Sequence, residues 1–379
     1  MTVINGQQAA RTEYDLHGIV GVRILDATPA DEAVVARQLG PIQGSLTRDP
    51  DITIRFVDRL STSSTVRFLG VDDTGFTDQS FLVLRSKHKA RTRVQIPFDQ
   101  IGQLCEIECE RGLPAVPLLI PILNFAALSK GALPMHASAF RYNGTGALVT
   151  GWAKGGKTET LLAFMSNGAK YVGDEWIYIS DDGQQMYGIP EPIRIWNWHL
   201  QEMPHYRMYV GRGERARLRG LNAIVRSMEW AISSGVGRGS ATMRLTGRIS
   251  SLLKRQMHVQ LPPDKLFGQG ESSLTSNLDK VFFVASHEAP DITVQPIDPQ
   301  EIAQRMVFSL QEERMDFMSY YLKFRFAFPL KRNMLIEQAE ELQRQLLLQV
   351  MAGKECYAIY HPYPVSIPAL FDVINPLVG

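Results

Sequence analysis

Ala147-Leu148-Val149-Thr150-Gly151-Trp152-Ala153-Lys154-Gly155-Gly156-Lys157-Thr158-Glu159-Thr160 decides how this chain is read. The apolar run Ala147 to Thr150 predicts a buried strand, the three glycines a tight loop, and Thr158 to Asn167 the helix that leaves it. Glycines at such a loop let backbone N–H groups converge without side chains in the way, and the helix adds its positive N-terminal end. A lysine followed by a hydroxyl residue at the helix start completes a set of donors suited to a cluster of phosphates. On this reading Gly151, Ala153, Lys154, Gly155, Gly156, Lys157, Thr158 and Glu159 form a nucleotide-binding loop for ATP. Lys157 reaches the β- and γ-phosphates from a solvent-facing position, and the Thr158 hydroxyl ligates Mg2+. An ordinary glycine turn before a helix leaves the consecutive Lys157 and Thr158 without a reason.

Working outward, a helix from about Pro121 to Ser129 and the stretch Met135 to Phe140 precede the loop's strand, with a turn at Asn143-Gly144. Gly168 ends the departing helix, and one strand, Lys170 to Ser180, is predicted beside the strand that feeds the loop. That strand carries Asp174 and Glu175. Neighbouring side chains on a strand point to opposite faces, so both carboxylates serve one site only if the backbone turns, or if one serves the metal and the other a hydroxyl nucleophile. Asp174, after the apolar Tyr171 and Val172, is the candidate catalytic base and a metal ligand, and Glu175 is a second candidate metal ligand. His136, at the end of an apolar stretch, is the third candidate catalytic residue beside Asp174 and Lys157.

The run from Met135 to Trp176 resembles the catalytic core of the HPr kinase/phosphorylase family, whose nucleotide site is similar to that of ATP-dependent phosphoenolpyruvate carboxykinases. The matching residues are His136 before the strand, the loop Gly151 to Thr158 with Glu159-Thr160 after it, and the acidic pair Asp174-Glu175. The resemblance implies that Lys157 and Thr158 serve the phosphates and magnesium, that Asp174 is general base toward a serine hydroxyl, and that His136 assists near the transferred phosphoryl group. Arg194 resembles a basic position on a later strand, a phosphate or acceptor contact. The family has two aspartates where this chain has Asp-Glu, its later glycine-rich signature is missing here, and its N-terminal domain differs. HPr itself is therefore not the implied acceptor; the implied partner is a protein, a peptide or a small-molecule hydroxyl acceptor.

The remaining sequence frames that core. In 379 residues, 45% are apolar and 21% charged, the composition of a packed globular chain, and the length suggests two domains. Residues 1–112 read as a mainly β, mainly antiparallel N-terminal domain with one short helix, Pro29 to Leu39. Residues 113–379 read as an α/β catalytic domain, so that the chain overall is α+β. Strands are predicted at Asp279 to Ala285 and Cys356 to Tyr360, a strand and helix within Ile292 to Gln311, and a helix over Leu335 to Met351. Leu113 to Leu128 is interrupted by three prolines and falls short of a membrane span, so it reads as core or junction. The polar N-terminus and the three cysteines, Cys105, Cys109 and Cys356, predict a reduced, cytoplasmic protein, with Cys105 and Cys109 on one face of a strand as packing residues.

A net charge of +1 gives no reason to expect a membrane or nucleic acid as partner. Charge is instead concentrated in an insertion at about residues 203–256, where Arg207, Arg212, Arg215, Arg217, Arg219, Arg226, Arg238, Arg244, Arg248 and Arg255 meet few acids. Its glycines and serines read as a mobile loop over the site that captures an acidic or phosphorylated partner, against a simply solvated surface. The expected activity is an ATP-dependent kinase; the alternatives are a nucleotide-regulated binding or assembly protein and an NTPase acting on water. A homo-oligomer is left open.

Overall fold

Alternation of apolar and polar residues along Ile52–Val57, with Ile52, Ile54 and Phe56 buried, is repeated in the neighbouring strands and builds the first sheet. The computed structural model describes residues 12–40, 42–70, 73–85, 91–233, 249–250, 253–254, 256–268 and 274–378. The chain is mixed α/β. Its first eight strands are β1 (Thr12–Leu16), β2 (Val20–Leu25), β3 (Ile52–Val57), β4 (Arg67–Leu69), β5 (Thr74–Phe76), β6 (Phe81–Arg85), β7 (Arg91–Gln95) and β8 (Cys105–Glu110). They form one sheet in the order β1-β2-β3-β8-β7-β6-β5-β4.

This sheet is less antiparallel than the sequence predicts: β2, β3 and β8 run parallel. The helix Pro29–Leu39 is the reason for the first of these pairs, because it carries the chain back across the sheet between β2 and β3. Its start is written locally, by a capping box between Thr28 and Asp31 with Pro29 in the first turn. Cys105 and Cys109 are free and buried on one face of β8, and burial pushes the Cys105 thiol up to about 12 and the Cys109 thiol higher still. Replacing both by alanine is expected to lower thermal stability and leave catalysis nearly unaltered, with no zinc found by elemental analysis of the wild-type protein. Stoichiometric zinc, lost in the double variant, would show that the pair is more than packing.

The second sheet is made by β9 (Leu133–Tyr142), β10 (Thr145–Thr150), β11 (Lys170–Gly173), β12 (Trp176–Ile179), β13 (Gln185–Gly188), β16 (Thr275–Asn277), β17 (Lys280–Ser286), β18 (Thr293–Pro296) and β19 (Glu355–His361). Its order is β16-β13-β12-β9-β10-β17-β19-β18, with β11 also on β9. Thus β10, which enters the glycine loop, is flanked by β9 and the parallel β17. The strand of the acidic pair does not lie beside β10, as expected from sequence, but one place further out. It is also broken in two, at Asp174 and Glu175.

Pleating sends Ala147 and Val149 to one core and Leu148 to the other. Helices Lys157–Met165 and Ile367–Val378 cover the first face; the long helix Pro299–Ala327 and helix Ala339–Met351 cover the second. The sequence places the helix of Pro299–Ala327 within Ile292 to Gln311, yet Pro329 is the first breaker after its start and it runs on to Ala327. The extension inserts Phe317, Tyr321 and Phe324 into the core of the first sheet, where Phe98 stacks on Phe324 with centroids 5.4 Å apart. Asn333 secures the same junction, donating to the carbonyls of Phe98 and Ile101 at 2.9 and 2.7 Å.

A ribbon of β14 (Ile193–Trp196) and β15 (His258–Leu261) lies apart from both sheets. Beside it, Arg212–Ser233 forms a 22-residue helix where the sequence suggests a loop. The glycine- and serine-rich part of the insertion, with Arg238, Arg244, Arg248 and Arg255, lies outside the described residues. No helix among the described residues is long and apolar enough to cross a membrane.

Candidate functional site

Thr150 ends β10, and the chain then turns through Gly151 to Gly156 into helix Lys157–Met165. Gly151 and Gly156 have φ of +151° and +111°. A β-carbon on Gly151 would lie 2.3 Å from the Val284 carbonyl, and one on Gly156 would lie 2.2 Å from His361 Nε2. Both positions therefore demand glycine, for backbone conformation and for space. The loop is fixed from below. His361, fully buried at the end of β19, places Nε2 2.9 Å from the Gly155 carbonyl, and the Ser138 hydroxyl donates to the Lys157 carbonyl at 2.9 Å.

Lys157 corrects one expectation: it is buried, at 6% exposure, rather than solvent-facing. Its Nζ donates to the carbonyls of Trp152 and Gly151 at 3.0 and 3.3 Å, curled into the loop it belongs to. Burial lowers its pKa, while the carboxylates of Glu175, Asp174 and Glu313 pull the other way. The ammonium still lines the cleft described below.

Opposite it, the Thr158 hydroxyl donates to Asp174, with oxygen separations of 3.1 and 3.3 Å. Asp174 is buried, and burial together with the neighbouring Glu175 charge pushes its carboxyl up to about 7, against the Thr158 hydrogen bond and the Lys157 charge. The backbone then does what the two adjacent acids require. Glu175 has φ +73°, a left-handed conformation rare outside glycine, and its carbonyl is held by the Ala137 N–H at 3.1 Å. The kink ends β11, starts β12 and turns both carboxylates toward one cleft.

His136 stands on β9 across from Trp176, with Nε2 3.2 Å from Glu175 Oε2 and Nδ1 2.7 Å from Glu313 Oε1. Burial disfavours its cation, yet the two carboxylates outweigh that and hold its pKa above the usual histidine value. The same hydrogen bond, with the charges of His136, Arg194 and Lys157, holds the Glu175 carboxyl low. Glu191, from the segment before β14, is a further carboxyl here, pushed up to about 8 by burial and by Glu175 and Asp174.

Glu159 faces a different partner. It accepts a hydrogen bond from His199 at 3.0 Å, whose other ring nitrogen receives the Trp196 N–H, so that this buried pair ties the start of the helix to the end of β14. Ala153, Lys154, Gly156, Lys157, Thr158, Glu159, His136, Asp174, Glu175 and Arg194 all line one cleft of about 1550 Å³. Gly151 and Gly155 shape the loop behind it.

The sequence reading missed Glu313, His361, His199 and Glu191. A helix continued past Gln311 would have offered Glu313, and an isolated histidine closing the apolar strand Tyr357 to Tyr360 was a signal for His361. Nothing local marks His199 or Glu191 as partners of residues forty and sixteen positions away. No protein-family model matches the chain, and no curated protein matches it significantly.

Proposed function

We propose that this chain is an ATP-dependent phosphotransferase of the HPr-kinase-like type, moving a γ-phosphoryl group to the hydroxyl of a protein or peptide serine or of a small metabolite. The observation that carries the reading is the contact of Asp174 with Thr158 at the head of a helix whose preceding loop only glycine can form. Anions are favoured at such a helix start, with Lys157 supplying the compensating charge. A magnesium ion here would arrive with phosphate oxygens and water and take few protein ligands. The Thr158 hydroxyl, with Glu175 nearby, would hold that Mg2+, which when bound would neutralise charge on the β- and γ-phosphates and leave Asp174 free to act as base.

Asp174 has the pKa of a working base at neutral pH. It accepts the proton of the acceptor hydroxyl as that oxygen bonds to the γ-phosphorus; the bond to the bridging oxygen breaks and ADP departs with the electron pair. His136, engaged by carboxylates at both nitrogens, holds Glu175 in place rather than reaching the phosphoryl group itself. Because the base must be ionised, kcat/KM for the acceptor is expected to rise with pH with a midpoint near 7, and to fall at higher pH as His136 loses its proton. A rate independent of pH from 5 to 8 would sink the base assignment. The activity itself is tested by mass spectrometry after incubation with ATP and magnesium, where a phosphorylated acceptor supports this reading. ADP and free phosphate alone would transfer the protein to the NTPases, and nucleotide binding without turnover to the regulated binding proteins.

A further inference from the structure

The cleft is too large for a nucleotide alone: about 1550 Å³, against roughly 300 to 1,000 Å³ for a pocket that holds one ligand. Part of its wall is the β14–β15 ribbon and helix Arg212–Ser233. Asn222, Val225, Arg226 and Glu229 of that helix line the cleft, the i, i+3, i+4, i+7 spacing of a single helix face. The rotation is anchored by Leu218, which is buried, and by Arg217, which donates to the His258 carbonyl at 2.7 Å, neither of which lines the cleft; on the cleft face itself Val225 is buried and Glu229 pairs with Lys254 at 2.6 Å. On the ribbon, Arg194 stands across from Gln260, and both line the same cleft.

Arg194 and Arg226 are exposed, and neither makes an ion pair or hydrogen bond among the described residues. Their neighbours differ: Arg212, Arg215, Arg217 and Arg219 do not line the cleft, so the basic character of the helix is not spread evenly. An unpaired guanidinium in a concave site is a ready fork for a carboxylate or phosphate. Arg194 also lies close enough to Glu175 to help hold its carboxyl low, so an anion on Arg194 would sit beside the reacting groups. We infer that Arg194 and Arg226 form the anion-binding half of the acceptor subsite, and that the acceptor is a small hydroxyl compound bearing a carboxylate or phosphate group. The inference rests on the phosphotransfer reading of the same cleft and narrows it, since neutral alcohols and sugars would leave both arginines unanswered.

The test uses the full chain with a nonhydrolysable ATP analogue and magnesium, titrated by calorimetry with glycerate, glycerol 3-phosphate and glycerol. At least one anion should bind about tenfold or more tightly than glycerol, less so as salt rises, the better of the two deciding between carboxylate and phosphate. Arg226→Gln should remove that preference and Arg226→Lys restore part of it, with the affinity for the ATP analogue measured in each variant as the control for folding. No anion binding at millimolar concentration, equal binding of glycerol, or full anion affinity in both Arg194→Gln and Arg226→Gln would overturn the subsite. Anion binding without any phosphorylated product would keep the subsite and remove the phosphotransfer reading; phosphorylation of glycerol as fast as of the anions would do the reverse.

Discussion

Asp174→Asn is expected to lower phosphoryl transfer by roughly 10²- to 10⁴-fold while ATP still binds with magnesium. Asparagine keeps the size of the side chain and can still accept the Thr158 hydroxyl, so the local packing that buries residue 174 survives. What it loses is the group that ionises near neutral pH. The rise in rate around pH 7 should vanish with it, and thermal stability above that pH should increase. The sign follows from the direction of the shift. A carboxyl whose pKa is raised on folding favours the folded state at low pH, and that advantage disappears as pH climbs through the folded value. If nucleotide affinity falls with the rate and recovers as magnesium is raised, the residue serves chiefly as metal ligand. Full transfer activity in the variant would defeat the base mechanism, even with a working glycine loop.

Lys157→Ala should weaken ATP binding by about 10²-fold or more, on the scale of removing one preorganised donor from a charged site. Its burial adds a second, independent readout. The ammonium is one of the charges that restrain Asp174, so without it the midpoint of the pH profile should move above its wild-type position near 7. Calorimetry measures the first effect, and residual turnover or carbonyl-region spectroscopy of the carboxyl the second. Unchanged nucleotide affinity would take the glycine loop out of the account altogether.

The loop from Gly151 to Thr158 was legible because its chemistry is consecutive in the chain, and the strand before and helix after it carry their own local patterns. Adjacent Asp174 and Glu175 announced a turn without revealing it, since only the positive φ at Glu175 reconciles two neighbouring carboxylates with one cleft. Glu313 and His361 were out of reach for a different reason. They arrive from helix Pro299–Ala327 and from the end of β19, and no local periodicity records which distant loop a side chain will meet. In the basic insertion, the glycines and serines after Ser233 coloured the reading of the whole stretch. The preceding residues are rich in Arg, Ala and Leu, good helix formers, and Arg212–Ser233 is helical despite Gly213 and Gly220.

The clasp between Asn333 and the carbonyl of Phe98 joins residues 235 positions apart. During synthesis, the first sheet therefore leaves the ribosome long before the aromatic side chains that complete its core. Until Phe317, Tyr321 and Phe324 arrive, Phe81 and Phe98 have each other but lack the helix rings that close over them. Closing so long a loop is slow, and an uncovered apolar sheet face is prone to association while it waits. Refolding yield should therefore fall steeply with protein concentration, and a nascent chain stalled before Pro299 should engage chaperones that release it once the long helix has emerged.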